Sequence, residues 1–202
     1  MNKGILYGIG AYALWGFFPI YWKWLHDVPA LQVIGHRIGW SFVLLFLYVA
    51  ARGRWREFRS AAMKWRTIGI YSIAAVLLSF NWLIYVWGVN AGFIVETSLG
   101  YFINPLLSVL LGVIFLRERL RPMQWIPVGL AAIGVAYLTF AYGRLPWIAL
   151  SLAFTFGFYG FVKKLSPLGP LMGLTLETGL VFPVSVIFLA VVGFNGSGAF
   201  LD

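Results

Sequence analysis

Residues 93–116 read FIVETSLGYFINPLLSVLLGVIFL, 24 positions that contain one charge, Glu96. A helix of that length rises about 36 Å at 1.5 Å per residue, enough to cross a hydrocarbon core about 30 Å thick. A transmembrane strand would be about 10 residues long with alternating polarity, and this run does not alternate. Working outward, similar apolar stretches occur at about Gly4–Trp22, Ala30–Ala51, Thr67–Val89, Pro122–Ala141, Pro146–Val162 and Leu171–Val192, which makes seven expected spans. The composition agrees: 61% of the 202 residues are hydrophobic and 10% charged, against roughly 45–50% and about 25% in soluble domains. The expected fold class is an all-α polytopic membrane protein with seven transmembrane helices and no room for a soluble domain. Pro122 and Pro146 open their spans, whereas Pro19, Pro105, Pro127 and Pro183 lie inside spans and are expected to kink or break them.

The net charge of +9 suggests nucleic acid only until the charges are located. With the N-terminus inside, the inner face carries Lys3, Arg52, Arg54, Arg56, Arg59, Lys64, Arg66, Arg117, Arg119, Arg121, Lys163 and Lys164, while the outer face carries Lys23 and Arg144. The excess of basic residues on one side orients the chain with a cytoplasmic N-terminus. Ala11-Tyr12-Ala13 lies in mid-span and is not expected to be a signal cleavage site. Zero Cys and two His leave no thiol or three-His metal site, so no cofactor or metal is expected.

Shifted by 141 positions, the start of the chain meets its later part: Trp15-Gly16-Phe17-Phe18 against Phe156-Gly157-Phe158-Tyr159, Lys23 against Lys164, Pro29 against Pro170, His36 against Glu177. Spans 1 and 2 map onto spans 6 and 7, so the repeat unit holds five helices, and an odd unit crosses in the opposite sense the second time. Inverted repeats place substrate near the midplane between the repeats in many secondary transporters. The expected organisation is one five-helix repeat over 1–141 and the first two helices of an inverted second repeat over 142–202. About three further helices are expected after the polar loop Asn195-Gly196-Ser197-Gly198.

The polar residues inside spans are informative because each ionisable one costs about 2.5–3.5 kcal/mol at a helix centre. From span edges and 1.5 Å per residue, His36, Arg37 and Asn81 lie roughly 9–10 Å below the outer edge, Glu96 about 4–5 Å and Asn104 about 16 Å. These residues, with the aromatic walls Trp82, Tyr85 and Tyr101, are the candidate substrate cavity. Arg37 is expected to pair with Glu96. The competing uses are a dipole-stabilised Glu96, a snorkelling Arg37, a packing His36, and Asn81 and Asn104 as helix glue. Glu177, about 9 Å from the inner edge of its span, mirrors His36 and joins the candidate set as a proton-coupling acid or a satisfied buried one. Glu118 reads as part of a solvated loop cluster. Trp22, Trp24, Trp55, Trp65, Trp125, Tyr142 and Trp147 read as an interfacial belt, and Gly35 and Gly39 as points of close helix approach.

The motifs Tyr12-Ala13-Leu14-Trp15-Gly16-Phe17-Phe18-Pro19, His36-Arg37, Asn81-Trp82, Glu96-Thr97-Ser98-Leu99-Gly100-Tyr101-Phe102-Ile103-Asn104-Pro105-Leu106, Glu118-Arg119, Gln124-Trp125 and Phe158-Tyr159-Gly160 resemble EamA-type permeases of the RarD group, in the drug/metabolite transporter superfamily. That resemblance implies a ten-helix permease of the bacterial inner membrane that moves small organic solutes, drugs or metabolites. The expected partners are a small-molecule substrate and the lipid bilayer, with no nucleic acid and a homodimer left open. The alternative is a non-transporting fragment or scaffold of such a permease. An intramembrane enzyme is disfavoured because Ser197 lies far in sequence from both His26 and His36, leaving no evident nucleophile and base. A retinal protein is disfavoured because the last span lacks a Lys.

Overall fold

The computed structural model describes residues 3–117, 119–143 and 145–199. The expectations placed on Glu118 and Arg144 lie outside these residues. Seven long helices form, with ends within about three residues of the expected spans: α1 (Lys3–Trp24), α2 (Ala30–Ala51), α4 (Trp65–Asn90), α5 (Ile94–Leu116), α6 (Trp125–Tyr142), α7 (Trp147–Lys164) and α8 (Pro170–Phe194). An eighth, short helix, α3 (Trp55–Ala62), and a single 3-10 turn at Pro122–Gln124 complete the order. Among the described residues, α1, α2, α4, α5 and α8 are long and apolar enough to cross a membrane. At 18 residues each, α6 and α7 reach the lower end of the roughly 17–25 that a span needs.

Pro19, Pro105 and Pro183 sit within helices that continue through them. Pro127 is the third residue of α6, in the first turn, where no carbonyl partner is lost. It therefore opens its helix and does not interrupt it. The basic segment 52–66, read as a loop, contains α3. Eight residues cannot hold a helix unaided; here Trp55 packs 5.1 Å from Phe46 and 5.5 Å from Phe58, and Phe58 is buried. At its start Arg54 donates two 2.9 Å hydrogen bonds to Glu57, and those bonds hold the Glu57 carboxyl below its ordinary range.

Two buried clusters sit at opposite ends of the bundle. One joins Trp22 of α1, Val33 and Ile34 of α2, and Val86 and Val89 of α4. The other joins Val49 of α2, Phe58 of α3, Tyr71 of α4, and Met172 and Leu176 of α8. Late α1, early α2 and late α4 meet at one end, and late α2, early α4 and early α8 meet at the other, as successive antiparallel crossings require. The most extensive packing is between α5 and α7, α2 and α8, and α4 and α7. Gly100 lets α5 and α7 touch: a Cβ there would lie 2.9 Å from the Ala149 carbonyl and from the Leu152 Cβ. Gly35 meets Leu189 across the α2–α8 contact, but Gly39, expected to do the same, has nothing within 4 Å.

The outside of the bundle is apolar. Tyr7, Tyr12, Leu14 and Phe17 on α1, and Leu130, Ile133, Tyr137 and Phe140 on α6, are all exposed. Soluble monomers rarely show contiguous apolar patches beyond a few hundred Å², so these faces belong against lipid, and the chain is a membrane protein.

Candidate functional site

Three helices each present residues at the same i, i+3, i+4, i+7 spacing to one cavity of about 160 Å³: Ile34, Arg37, Ile38 and Ser41 from α2, Ala75, Leu78, Ser79 and Trp82 from α4, and Leu174, Glu177, Thr178 and Val181 from α8. That spacing marks a single helix face. A second cavity of about 630 Å³ lies between α1 and α2, with walls that include Phe18, Tyr21, Trp22, His36 and Trp40. Arg37 and Ser41 line both.

Contacts along α2 and α8 fix their sense: Gly35 meets Leu189, Phe42 lies 4.7 Å from Phe182, and Val49 clusters with Met172 and Leu176. Position rises on α2 as it falls on α8, so the two run antiparallel and cross near Phe42 and Phe182. Arg37 stands five residues before Phe42, and Glu177 five before Phe182. The two charges are therefore displaced to opposite sides of the crossing, each by about 7 Å at 1.5 Å per residue, yet both reach the same cavity.

The Arg37 guanidinium lies over the Trp82 ring, with the Trp22 ring centre 5.7 Å away. Its Nη1 is buried without a hydrogen-bond partner among the described residues. Among the described residues the guanidinium meets the two indole rings and no carboxylate, so the expected ion pair with Glu96 is not among its contacts. Helix α2 packs on α8 and α4 while α5 packs mainly on α7, although Tyr101 of α5 is an electrostatic neighbour of Arg37. A cation–π contact is worth about 0.5–2 kcal/mol, less than the 2.5–3.5 kcal/mol or so that a charge costs at mid-span. Arg37 thus keeps unspent hydrogen-bonding capacity at a costly depth.

Glu177 is in the opposite situation. It is 1% exposed and satisfied on both oxygens: Lys163 Nζ donates to Oε1 at 2.7 Å, and Tyr159 Oη donates to Oε2 at 3.1 Å. Tyr159 and Lys163 are one turn apart on α7, so they share a face. Lys163 also lies 4.9 Å from the ring centre of Tyr71, which is fully buried on α4. The Tyr71 hydroxyl donates to the Leu168 carbonyl and accepts from its N–H, both at 3.2 Å. A Cβ on Gly173 would come within 2.7 Å of Lys163 Nζ, so this glycine leaves room for the ammonium. The cluster ties α4, α7, α8 and the 165–169 connection together. Lys163, read from sequence as a solvated inner-loop charge, is instead the partner of the buried acid.

Of the other candidates, His36 is half-buried in the wall of the larger cavity, and Trp82 is half-buried in the smaller one. Asn81, Tyr85, Glu96, Tyr101 and Asn104 line neither of these two cavities. Asn81 is fully buried and donates to the Leu152 carbonyl at 2.9 Å and to Thr155 Oγ1 at 2.8 Å, joining α4 to α7. Tyr85 and Tyr101 pack edge to face at 5.4 Å, and Phe156 of α7 lies 6.3 Å from Tyr101. Glu96 is half-buried in the first turn of α5. Glu96, Gly100 and Asn104 follow at i+4 steps along one face of α5, and Gly100 packs on α7, so this face turns toward α7. Asn104 is half-buried, with an enclosed Oδ1 that has no hydrogen-bond partner among the described residues. Trp22, assigned to the interfacial belt, is 4% exposed and belongs to the core beside Arg37, whereas Trp24 is 78% exposed, as a belt residue should be.

Residues 2–140 match the EamA-like transporter family. The chain is 45% identical over 196 residues to "Uncharacterized transporter YojE" of Bacillus subtilis, covering 95% of this chain and 65% of that protein. It is 42% identical over 199 residues to "Protein RarD" of Streptomyces exfoliatus, covering 98% and 63%, and 40% identical over 188 residues to "Protein RarD" of Escherichia coli, covering 93% and 64%. The chain thus spans a little under two thirds of the length of these curated relatives. No solved structure matches it. A family match across more than half the chain makes it a member of the EamA-like transporter family.

Proposed function

We propose that this chain forms the solute-binding part of a secondary transporter that moves small organic solutes across the bacterial inner membrane. The observation that carries the reading is that Arg37 and Glu177, on opposite sides of the α2–α8 crossing, both line one cavity between α2, α4 and α8. Arg37 and the aromatic wall beside it meet the solute. Glu177 is the carboxylate on the cavity, and coupling to protons runs through it by exchange against Lys163 and Tyr159.

The repeat organisation, 1–141 followed by an inverted 142–202, supports a site at this place. Spans 2 and 7, equivalent under the 141-residue shift, are α2 and α8, and their antiparallel crossing near Phe42 and Phe182 falls where an in-plane two-fold axis would relate them. The names of the relatives support transport in general and leave the solute open.

The test is flux into proteoliposomes containing the chain, with a panel of small organic solutes and an imposed proton gradient. Accumulation that collapses with the gradient is the expected result. Flux no greater than in empty vesicles, from protein that is monodisperse and oriented, would leave the second reading, a binding scaffold that does not transport.

The charge distribution supports a cytoplasmic N-terminus, with α3 and its arginines inside. A phosphatase reporter fused after Arg59 should be inactive, and a fluorescent reporter at the same place active. A phosphatase active there would invert the topology.

A further inference from the structure

Arg37 is half-buried between two cavities, and its surroundings are unusual for a cation within a span. Its contacts are the faces of Trp82 and Trp22, its electrostatic neighbours are the phenols of Tyr101 and Tyr21, and its Nη1 has no hydrogen-bond partner among the described residues. The one carboxylate on the smaller cavity, Glu177, is held on both oxygens by Lys163 and Tyr159. Lys163 and Glu177 cancel, so the groups around the cavity carry one positive charge in excess. The larger cavity, about 630 Å³, is walled by the aromatic side chains of Phe18, Tyr21, Trp22 and Trp40.

From this geometry we infer that the solute is a small organic monoanion, with an apolar or aromatic body in the α1–α2 cavity and a carboxylate or similar anionic group on Arg37. This rests on the reading of the cavity as a solute site and adds the solute's charge to it. A guanidinium offers a planar fork of donors that matches a carboxylate, which an ammonium does not. The anion supplies both what Nη1 lacks and the balancing charge. An organic cation of the same shape meets the excess positive charge and is rejected.

The experiment is equilibrium binding of radiolabelled benzoate to the purified chain in lipid nanodiscs at fixed ionic strength, with unlabelled benzoate, benzyl alcohol and benzylammonium as competitors. Benzoate should bind saturably and displace the label at concentrations at least about tenfold lower than benzyl alcohol, with benzylammonium the weakest. Arg37→Lys should weaken benzoate by about tenfold while keeping the order of the three. Arg37→Gln should remove the preference for benzoate over the alcohol.

Benzyl alcohol or benzylammonium competing as well as benzoate would overturn the assignment of charge while leaving a solute site. A preference for benzoate that persists in a monodisperse Arg37→Gln protein would overturn Arg37 as the anion-reading residue. Absence of saturable binding by any of the three would overturn the cavity as a solute site, and the inference with it.

Discussion

Lys163→Met is expected to destabilise the folded chain by about 3–5 kcal/mol, the cost of stranding a buried charge whose partner has been removed. The carboxylate it leaves is 1% exposed and retains only the Tyr159 hydroxyl. The reverse truncation, Glu177→Gln, should cost less. Lys163 lies in the last turn of α7, with its side chain 22% exposed, where a helix C-terminus favours a cation and a long stem lets the ammonium reach the interface. The double variant Lys163→Met with Glu177→Leu should recover most of the loss, because an apolar pair of similar volume replaces a buried ion pair at little net cost. Thermal unfolding of the four proteins in one detergent checks the ordering. Equal, sub-kilocalorie effects of the two single variants would show that the pair is solvated, and the cluster joining α4, α7 and α8 would lose its energetic role.

That cluster also shows where sequence reading stops. The depth of Glu177 was legible, since an acid seven residues into an apolar helix has few innocent uses. Its partner was not. A Lys in the last turn of a span counts equally well as a loop charge under the positive-inside rule, and only the packing of α7 and α8 on α4 brings it to the acid. The available signal was Tyr159 and Lys163 one turn apart at the end of α7, with the acid 14 residues after Lys163 on the next helix.

The span positions came from apolar runs set by bilayer thickness, so they transferred to the structure within a few residues. Helix adjacency did not transfer. Arg37 at about 9–10 Å and Glu96 at about 4–5 Å fall in one group by depth, yet depth is one coordinate, and α2 packs on α8 and α4 while α5 packs mainly on α7. The same gap hid Trp22, whose place near a span end suggested a belt residue although its ring is buried beside Arg37. Helix α3 was hidden too, because its stability comes from Trp55 and Phe58 packing on the bundle.

The proposed solute site requires a polar, water-reachable path past Arg37 deep in the membrane. With no native Cys, single-cysteine labelling reads this without background. Ser41 lines both cavities and lies eleven residues into α2, about 16 Å from its start at 1.5 Å per residue, near the midplane. Leu47, on the same helix, is 57% exposed on the outside of the bundle. A thiol reacts as its thiolate, which forms in a hydrated site and is suppressed in hydrocarbon. In proteoliposomes treated with a small, membrane-impermeant methanethiosulfonate, Ser41→Cys should label at least about tenfold faster than Leu47→Cys. Ser41→Cys labelling no faster than Leu47→Cys would rule out a solute site at Arg37, because a sealed, dry cavity carries no solute.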